Sequence, residues 1–192
     1  KNTDVPLVAD IHFDHRLALE CLNGGIPKIR INPGNIGNSE KVKEVVFLAL
    51  KKEAAIRIGV NSGSLPKDLG LKVADGKMTR AEALSETAAR ECAAFDSLGF
   101  DRYVVSMKAS SVQETVEANE CFAKNYDAPL HIGVTEAGPL ITGIVKSTMA
   151  FSHLLCKGIG STIRVSLSSS PENEIITGRE ILHECGLRKG GI

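Results

Sequence analysis

Six short apolar runs of this chain each end in side chains suited to gripping or protonating an anion: Asp10 and His12, Arg30 and Asn32, Arg57 and Asn61, Lys108, Glu136, then Arg164 and Ser166. If the runs are neighbouring strands, Arg30, Arg57, Lys108 and Arg164 form a ring of cations at one end of a sheet, and four cations suggest more than one phosphate. Arginine meets phosphate oxygens with two parallel N–H donors, and a charge-assisted hydrogen bond contributes about 1.5–3 kcal/mol. The plainer reading is that each cation pairs with a nearby Asp or Glu. Glu136 lies in the turn Gly133-Val134-Thr135-Glu136-Ala137-Gly138. It could act as a general acid if apolar walls raise its proton affinity, or it could cap the helix expected to begin near Leu140.

Asp10 and His12 are two residues apart and share one face of a strand, either as ligand contacts or as an internal pair. Asn32-Pro33-Gly34-Asn35-Ile36-Gly37 and Asn61-Ser62-Gly63-Ser64-Leu65 join amides to glycines that let backbone approach a ligand, although turns alone select the same residue types. Arg164-Val165-Ser166-Leu167-Ser168-Ser169-Ser170 precedes the last helical pattern, where hydroxyls, amides and a helix N-terminus can hold phosphate or a serine can cap the helix.

The elements that must position these groups are strand-like runs at residues 6–13, 28–32, 55–61, 102–108, 130–135 and 161–167, each followed by a helical pattern. Val42, Val45, Val46 and Ala49 fall on one helical face, and Val112, Val116, Phe122 and Ala123 on another. Ser110-Ser111 and Ser170-Pro171-Glu172 signal helix starts, and Gly99, Gly158 and Gly186 signal stops. Strand–helix alternation implies parallel strands and right-handed crossovers. Polar strand ends all along the series, and no Gly-x-Gly-x-x-Gly after the first run, favour a TIM-type (β/α)8 barrel over a doubly wound sheet. A complete barrel takes about 250 residues and eight strands, so the expectation is six units, strands three to eight. Residues 63–79 break the rhythm and are expected to form a long loop or hairpin at the site rim, and residues 188–191 an exit linker.

The 192 residues, 43% apolar and 24% charged, are expected to form a single soluble domain. Lys plus Arg equals Asp plus Glu at 23 each, so no global field favours nucleic acid or an anionic membrane. No run approaches the roughly 20 apolar residues of a membrane span, and no signal-peptide pattern opens the chain, which points to the cytoplasm. Cys21, Cys92, Cys121, Cys156 and Cys185 include no Cys-x-x-Cys pair, so they read as reduced thiols and not as a metal site.

The segments Val8-Ala9-Asp10-Ile11-His12-Phe13, Arg30 through Gly37, Arg57-Ile58-Gly59-Val60-Asn61, Ser106-Met107-Lys108-Ala109-Ser110, Gly133 through Gly138 and Arg164-Val165-Ser166-Leu167, in this order, closely resemble the 4-hydroxy-3-methylbut-2-enyl diphosphate synthase family. The resemblance implies two-electron reductive ring opening and dehydration of 2-C-methyl-D-erythritol 2,4-cyclodiphosphate in non-mevalonate isoprenoid biosynthesis. It implies that Arg30, Arg57, Asn61, Lys108, Arg164 and Ser166 contact the diphosphate and that Glu136 faces the reacting carbon skeleton as hydrogen-bond partner or proton donor; Asn32, Asp10 and His12 are further substrate-binding candidates. It also implies a 4Fe4S cluster on a separate C-terminal domain, held by three cysteines and a glutamate that none of this chain's cysteines matches. Flavodoxin or ferredoxin would supply electrons, and the intact protein would be a homodimer. On this resemblance the chain is expected to be an excerpt, inactive alone, with two barrel strands preceding Lys1. Three rivals stay open: a Schiff-base aldolase using Lys108, a dihydropteroate-synthase-like barrel, and a non-catalytic phosphate-ligand module.

Overall fold

The computed structural model of the protein describes residues 4–189. Strands β1 (Val8–Asp10), β2 (Lys28–Ile31), β3 (Ala55–Asn61) and β4 (Tyr103–Lys108) pair in parallel in that order, and β5 (His131–Ile132) pairs in parallel with β6 (Thr162–Ile163). A parallel bridge between Val105 and Leu130 joins the two groups, so the strands stand side by side in chain order. Each is followed by a helix: α1 (His15–Asn23), α3 (Ser39–Lys51), α5 (Arg80–Ser97), α6 (Val112–Asn125), α7 (Leu140–Leu155) and α8 (Pro171–Glu184). Two shorter helices, α2 (Pro33–Ile36) and α4 (Lys67–Ala74), lie within the connections. These are six consecutive βα units of a TIM-type barrel.

Period-two alternation divides every strand between two environments. Ile29, Ile31, Ile56, Ile58, Val60, Val105, Met107 and Ile132 are buried and share one apolar cluster with Leu22, Val45, Val46, Ala49, Leu84, Phe95, Phe122, Phe151 and Leu154 of the helices. Each such side chain removed from water contributes about 1.5–3 kcal/mol. The intervening residues, among them Arg30, Arg57, Ser106, Lys108, His131 and Arg164, face the barrel interior. The fold thus builds its core between sheet and helices and leaves the sheet's inner face for chemistry.

Local signals fix the helix ends. Asp14, Asn38 and Ser111 accept backbone hydrogen bonds as N-caps of α1, α3 and α6, and Thr79 with Glu82 forms a reciprocal capping box on α5. Gly99, Gly158 and Gly186 take φ of 71°, 74° and 71° just beyond helix ends, a region that disfavours side chains.

Three expectations need correction. Residues 63–79 are not one long loop or a hairpin. A 3-10 turn, Ser62–Ser64, leads into α4, whose Leu69 is buried and whose Asp68 meets Arg90 of α5 at 2.9 Å. Leu69 and Val73 are four apart, so one turn of apolar spacing survived among the lysines and glycines. The fifth and sixth strands pair over only two residues each, the rest of both runs being loop. Of the expected α6 face only Phe122 is fully buried, with Val112, Val116 and Ala123 partly so; the other buried positions are Ala118 and the polar Thr115 and Asn119. Gly190 and Gly191 of the expected exit linker lie outside the described residues. Among the described residues no helix is long and apolar enough to cross a membrane.

Candidate active site

Strand register sets the cations side by side. Asp10 pairs with Arg30, Arg30 with Arg57, and Asn61 with Lys108. Arg30 is buried, and its Nη1 donates to Asp10 Oδ1 at 3.0 Å and lies 3.2 Å from His12 Nε2. Burial disfavours the Asp10 carboxylate, but the Arg30 charge and hydrogen bond, aided by His12 and Arg57, outweigh it and hold that carboxyl below the usual range. Asp10 and His12 therefore form an internal set with Arg30, and one guanidinium answers the only carboxylate on these inner strand positions.

Arg57, Lys108 and Arg164 have no such partner: none makes a side-chain hydrogen bond or ion pair to a described residue. Burial, then the charges of Arg30 and Arg164, push Arg57 down to about 10. Burial, then Arg57, Arg164 and Arg30, push Lys108 down to about 7, with Asp10 opposing. The plainer reading of four separately neutralised strand ends thus holds for Arg30 alone. Three cations repel one another in a partly dry bowl, an arrangement that a multiply charged anion would stabilise.

Glycines make the approach possible. A β-carbon at Gly59 would stand 2.5 Å from Arg30 Nε and 2.9 Å from its Nη2, so the guanidinium lies directly across β3. Arg30 Nε is buried without a partner. At Gly133 a β-carbon would come within 3.1 Å of Lys108 Cε and 3.0 Å of the Arg164 carbonyl oxygen. Gly59→Ala in the whole protein is expected to push Arg30 aside and weaken anion binding by roughly tenfold, equivalent to about 1.4 kcal/mol. Calorimetric titration checks this, and an unchanged dissociation constant would remove Arg30 from the binding set.

At the rim, Glu136 takes φ of 49°, an uncommon conformation for a side-chain-bearing residue. The turn is anchored where Thr135 N–H donates to the Ala109 carbonyl at 3.0 Å. Glu136, Thr135, Gly138, Arg164, Ser166 and Ser168 line one concavity of about 260 Å³. Ser168 N–H donates to the Gly138 carbonyl at 3.0 Å, and Leu167 N–H to Glu174 Oε1 at 2.8 Å, so the two loops hold each other. Glu136 does not cap α7: Pro139 occupies that position without a side-chain bond. Nor is Glu136 enclosed by apolar walls among the described residues; it is exposed.

The two asparagines differ. Asn32 is buried, accepts from Gly34 N–H at 3.1 Å and donates to Ser64 Oγ at 2.9 Å, and Ser64 in turn donates to the Asn61 carbonyl at 3.2 Å. Its amide ties the second loop to the third, where Ser64 in turn holds the Asn61 carbonyl. The Asn61 side chain makes no hydrogen bond to a described residue and stays available to a ligand.

Sequence reasoning missed several contributors. His131 lies deeper in the interior, sharing a 2.8 Å hydrogen bond between Nδ1 and Thr162 Oγ1, with Nε2 buried and unpartnered. Burial, then Lys108, Arg57, Lys28 and Arg164, hold its imidazole far below the usual range, so it is neutral. The period-two pattern from Gly133 could have found it. Thr115 Oγ1 meets both Ala109 backbone groups, and Asn119 Nδ2 donates to the Met107 carbonyl at 3.2 Å, so α6 fixes the strand end that carries Lys108. Phe13, at φ 62° and 74% exposed, presents a bare aromatic ring beside His12 at the end of β1.

The cysteines do not fit an iron–sulfur cluster. Cys92 is buried in α5 with its thiol pushed up to about 12 by burial, and no three cysteines converge. Among the described residues the one group with metal-ligand spacing is Glu180, His183 and Glu184, which offers no thiolate.

The family model for the GcpE TIM-barrel domain matches residues 1–179. A 4-hydroxy-3-methylbut-2-en-1-yl diphosphate synthase (flavodoxin) of Treponema denticola is 59% identical across 99% of this chain and 54% of its own length. The protein of the same name from Treponema pallidum is 58% identical across 99% of this chain and 49% of its own length. The chain spans about half the length of the curated relatives it matches. Among solved structures, a type I 3-dehydroquinate dehydratase from Clostridium difficile superposes with TM-score 0.59 at 19% identity, covering 94% of this chain and 68% of its own, a likeness of fold alone.

Proposed function

The chain belongs to the GcpE TIM-barrel family, and on that premise we propose that it is the diphosphate-gripping barrel of a 4-hydroxy-3-methylbut-2-enyl diphosphate synthase. The whole protein would convert 2-C-methyl-D-erythritol 2,4-cyclodiphosphate to (E)-4-hydroxy-3-methylbut-2-enyl diphosphate. The observation that carries this reading is the set of three cations, Arg57, Lys108 and Arg164, none of which makes an ion pair to a carboxylate of a described residue, the charge of Asp10 offsetting the mutual repulsion only in part.

In this reading the guanidinium groups of Arg57 and Arg164 take phosphate oxygens in pairs, Lys108 supplies a point charge between them, and Asn61 and Ser166 add neutral hydrogen bonds. Arg30 is oriented by Asp10 and His12, and Asn32 braces the loop behind it. The diphosphate stays attached throughout the reaction, so its binding energy positions the carbon skeleton. Ring opening with dehydration consumes two electrons and two protons and releases one water. A proton donor must reach the departing hydroxyl, and Glu136 stands beside Arg164 and Ser166 at the mouth, where the skeleton would project.

In this proposal the electrons come from a 4Fe4S cluster bound by residues of the whole protein other than this chain's cysteines, and reduced by flavodoxin or ferredoxin. A single barrel domain, a separate cluster domain, a homodimer and a cytoplasmic location complete the proposal.

Anaerobic assay of the whole protein with the cyclic diphosphate and reduced flavodoxin is expected to yield the linear diphosphate. Saturable binding without turnover in cluster-loaded protein would favour a non-catalytic module. A Schiff-base enzyme has one observation behind it, the ease with which buried Lys108 loses its proton. Borohydride trapping with carbonyl compounds separates the two, because an adduct on Lys108 removes it from the phosphate set.

A further inference from the structure

The two C-terminal helices end together. Both α7 and α8 run from the cation-bearing mouth back to the opposite end of the sheet, and the two helices pack against each other. Cys156 is the C-cap of α7 and Cys185 the C-cap of α8. The Cys185 thiol has as its neighbours the Ser152 hydroxyl, one turn before Cys156, and the Cys156 thiol itself. Cys156 is exposed and Cys185 is half-buried. Gly158 and Gly186, both at positive φ, follow within two residues and release each chain from helical geometry just past its thiol. The other cysteines lack this arrangement: Cys92 is buried against Tyr103, and Cys21 and Cys121 belong to α1 and α6.

We propose that Cys156 and Cys185 are a redox-modifiable dithiol that oxidises to an intramolecular disulfide, tying α7 to α8 on the face of the barrel opposite the cation ring. The oxidant is a hydroperoxide. The Cys156 thiolate, reachable from solvent, attacks a peroxide oxygen; the S–O bond forms, the O–O bond breaks, and water leaves after taking up a proton. The Cys185 thiolate then attacks Cys156 Sγ; the S–S bond forms, the S–O bond breaks, and the departing hydroxide takes the second thiol proton as water. The two sulfurs together lose two electrons and the peroxide gains them. Burial holds the Cys185 thiol above its ordinary value, so the exposed Cys156, and not Cys185, is the thiol that meets the peroxide first. Neither sulfur touches the anion-binding residues, so the modification does not depend on the function proposed for the mouth.

The test treats the whole protein with about one equivalent of hydrogen peroxide, alkylates free thiols and maps peptides without reduction. The expected product is a linked pair of peptides carrying Cys156 and Cys185, lighter by two hydrogens and released by dithiothreitol. Anion binding at the mouth should stay unchanged. The link disappears in Cys156→Ser and in Cys185→Ser and persists in Cys121→Ser. The proposal is overturned if Cys156 proceeds to sulfinic acid while Cys185 remains alkylatable, or if Cys156 links to other cysteines as readily as to Cys185. Serine at the exposed Cys156 leaves packing intact, and a circular dichroism melt of that variant confirms that a missing link reports chemistry and not unfolding.

Discussion

Glu136→Gln in the whole enzyme is expected to bind the cyclic diphosphate within a few-fold of the parent and to lose about 10²- to 10⁴-fold in turnover, the usual span for a removed general acid. The amide keeps the size and hydrogen-bonding reach of the carboxyl, so the turn between Gly133 and Gly138 has no reason to refold. What it cannot do is deliver a proton to a departing hydroxyl. The diphosphate contacts are proposed to lie with Arg57, Lys108, Arg164 and their hydroxyl and amide neighbours, which the substitution leaves in place. Titration calorimetry and single-turnover product formation separate the two quantities. Turnover at the parent rate would make Glu136 structural and end the proton-donor role.

Arg164→Ala produces the complementary phenotype, weaker binding by roughly 10- to 150-fold, from a charge-assisted contact of about 1.5–3 kcal/mol. Arg164 is the favourable position for this test because it is exposed and makes no ion pair to a described residue. Arg30 would be a poor choice, since its loss leaves Asp10 without its guanidinium. The variant should also alter pH dependence. In the parent, Lys108 titrates near 7, so the free site loses a cation, and anion binding weakens, as pH rises through that value. A cyclic diphosphate has only strongly acidic protons and keeps its charge over this range, so the inflection belongs to the protein. Removing Arg164 takes away one of the charges depressing Lys108 and should move the inflection upward. Binding measured from pH 6 to 9 decides the matter: an unmoved inflection would mean that the two cations do not share a ligand.

How much of this was legible in the sequence depends on range. The third strand, residues 55–61, keeps its expected bounds because Ile56, Ile58 and Val60 recur at every second position, with Arg57 and Asn61 among the residues between and after them. The caps at Ser111 and the stops at Gly99, Gly158 and Gly186 are local chemistry and were readable as such. The shortness of β5 and β6 was not, since a strand's paired length is set by its neighbours and not by its own composition. Helix α4 was hidden by Gly70, Asp75 and Gly76, which promise a loop, and its one buried anchor, Leu69, is visible only in the packing. In the site, residue types at strand ends announced the cations. Which of them is neutralised, and that Asn32 spends its amide on Ser64, depends on contacts 20 to 32 residues apart that no local pattern encodes.

Barrels of this architecture usually fill their interior with layers of branched apolar side chains. Here much of that space is given to Arg57, Lys108 and Arg164, which repel one another and make no ion pair to a described residue, and to Arg30 and His131, whose Nε and Nε2 are buried without a partner. Occupancy of the mouth is therefore also a contribution to the lifetime of the fold: a ligand at 100 times its dissociation constant adds about 2.7 kcal/mol against unfolding. In a cell that clears unfolded chains, molecules that hold their diphosphate outlast those that do not. On the proposed function, the supply of the diphosphate would then bear on the abundance of the protein that uses it, through the charge inside the barrel.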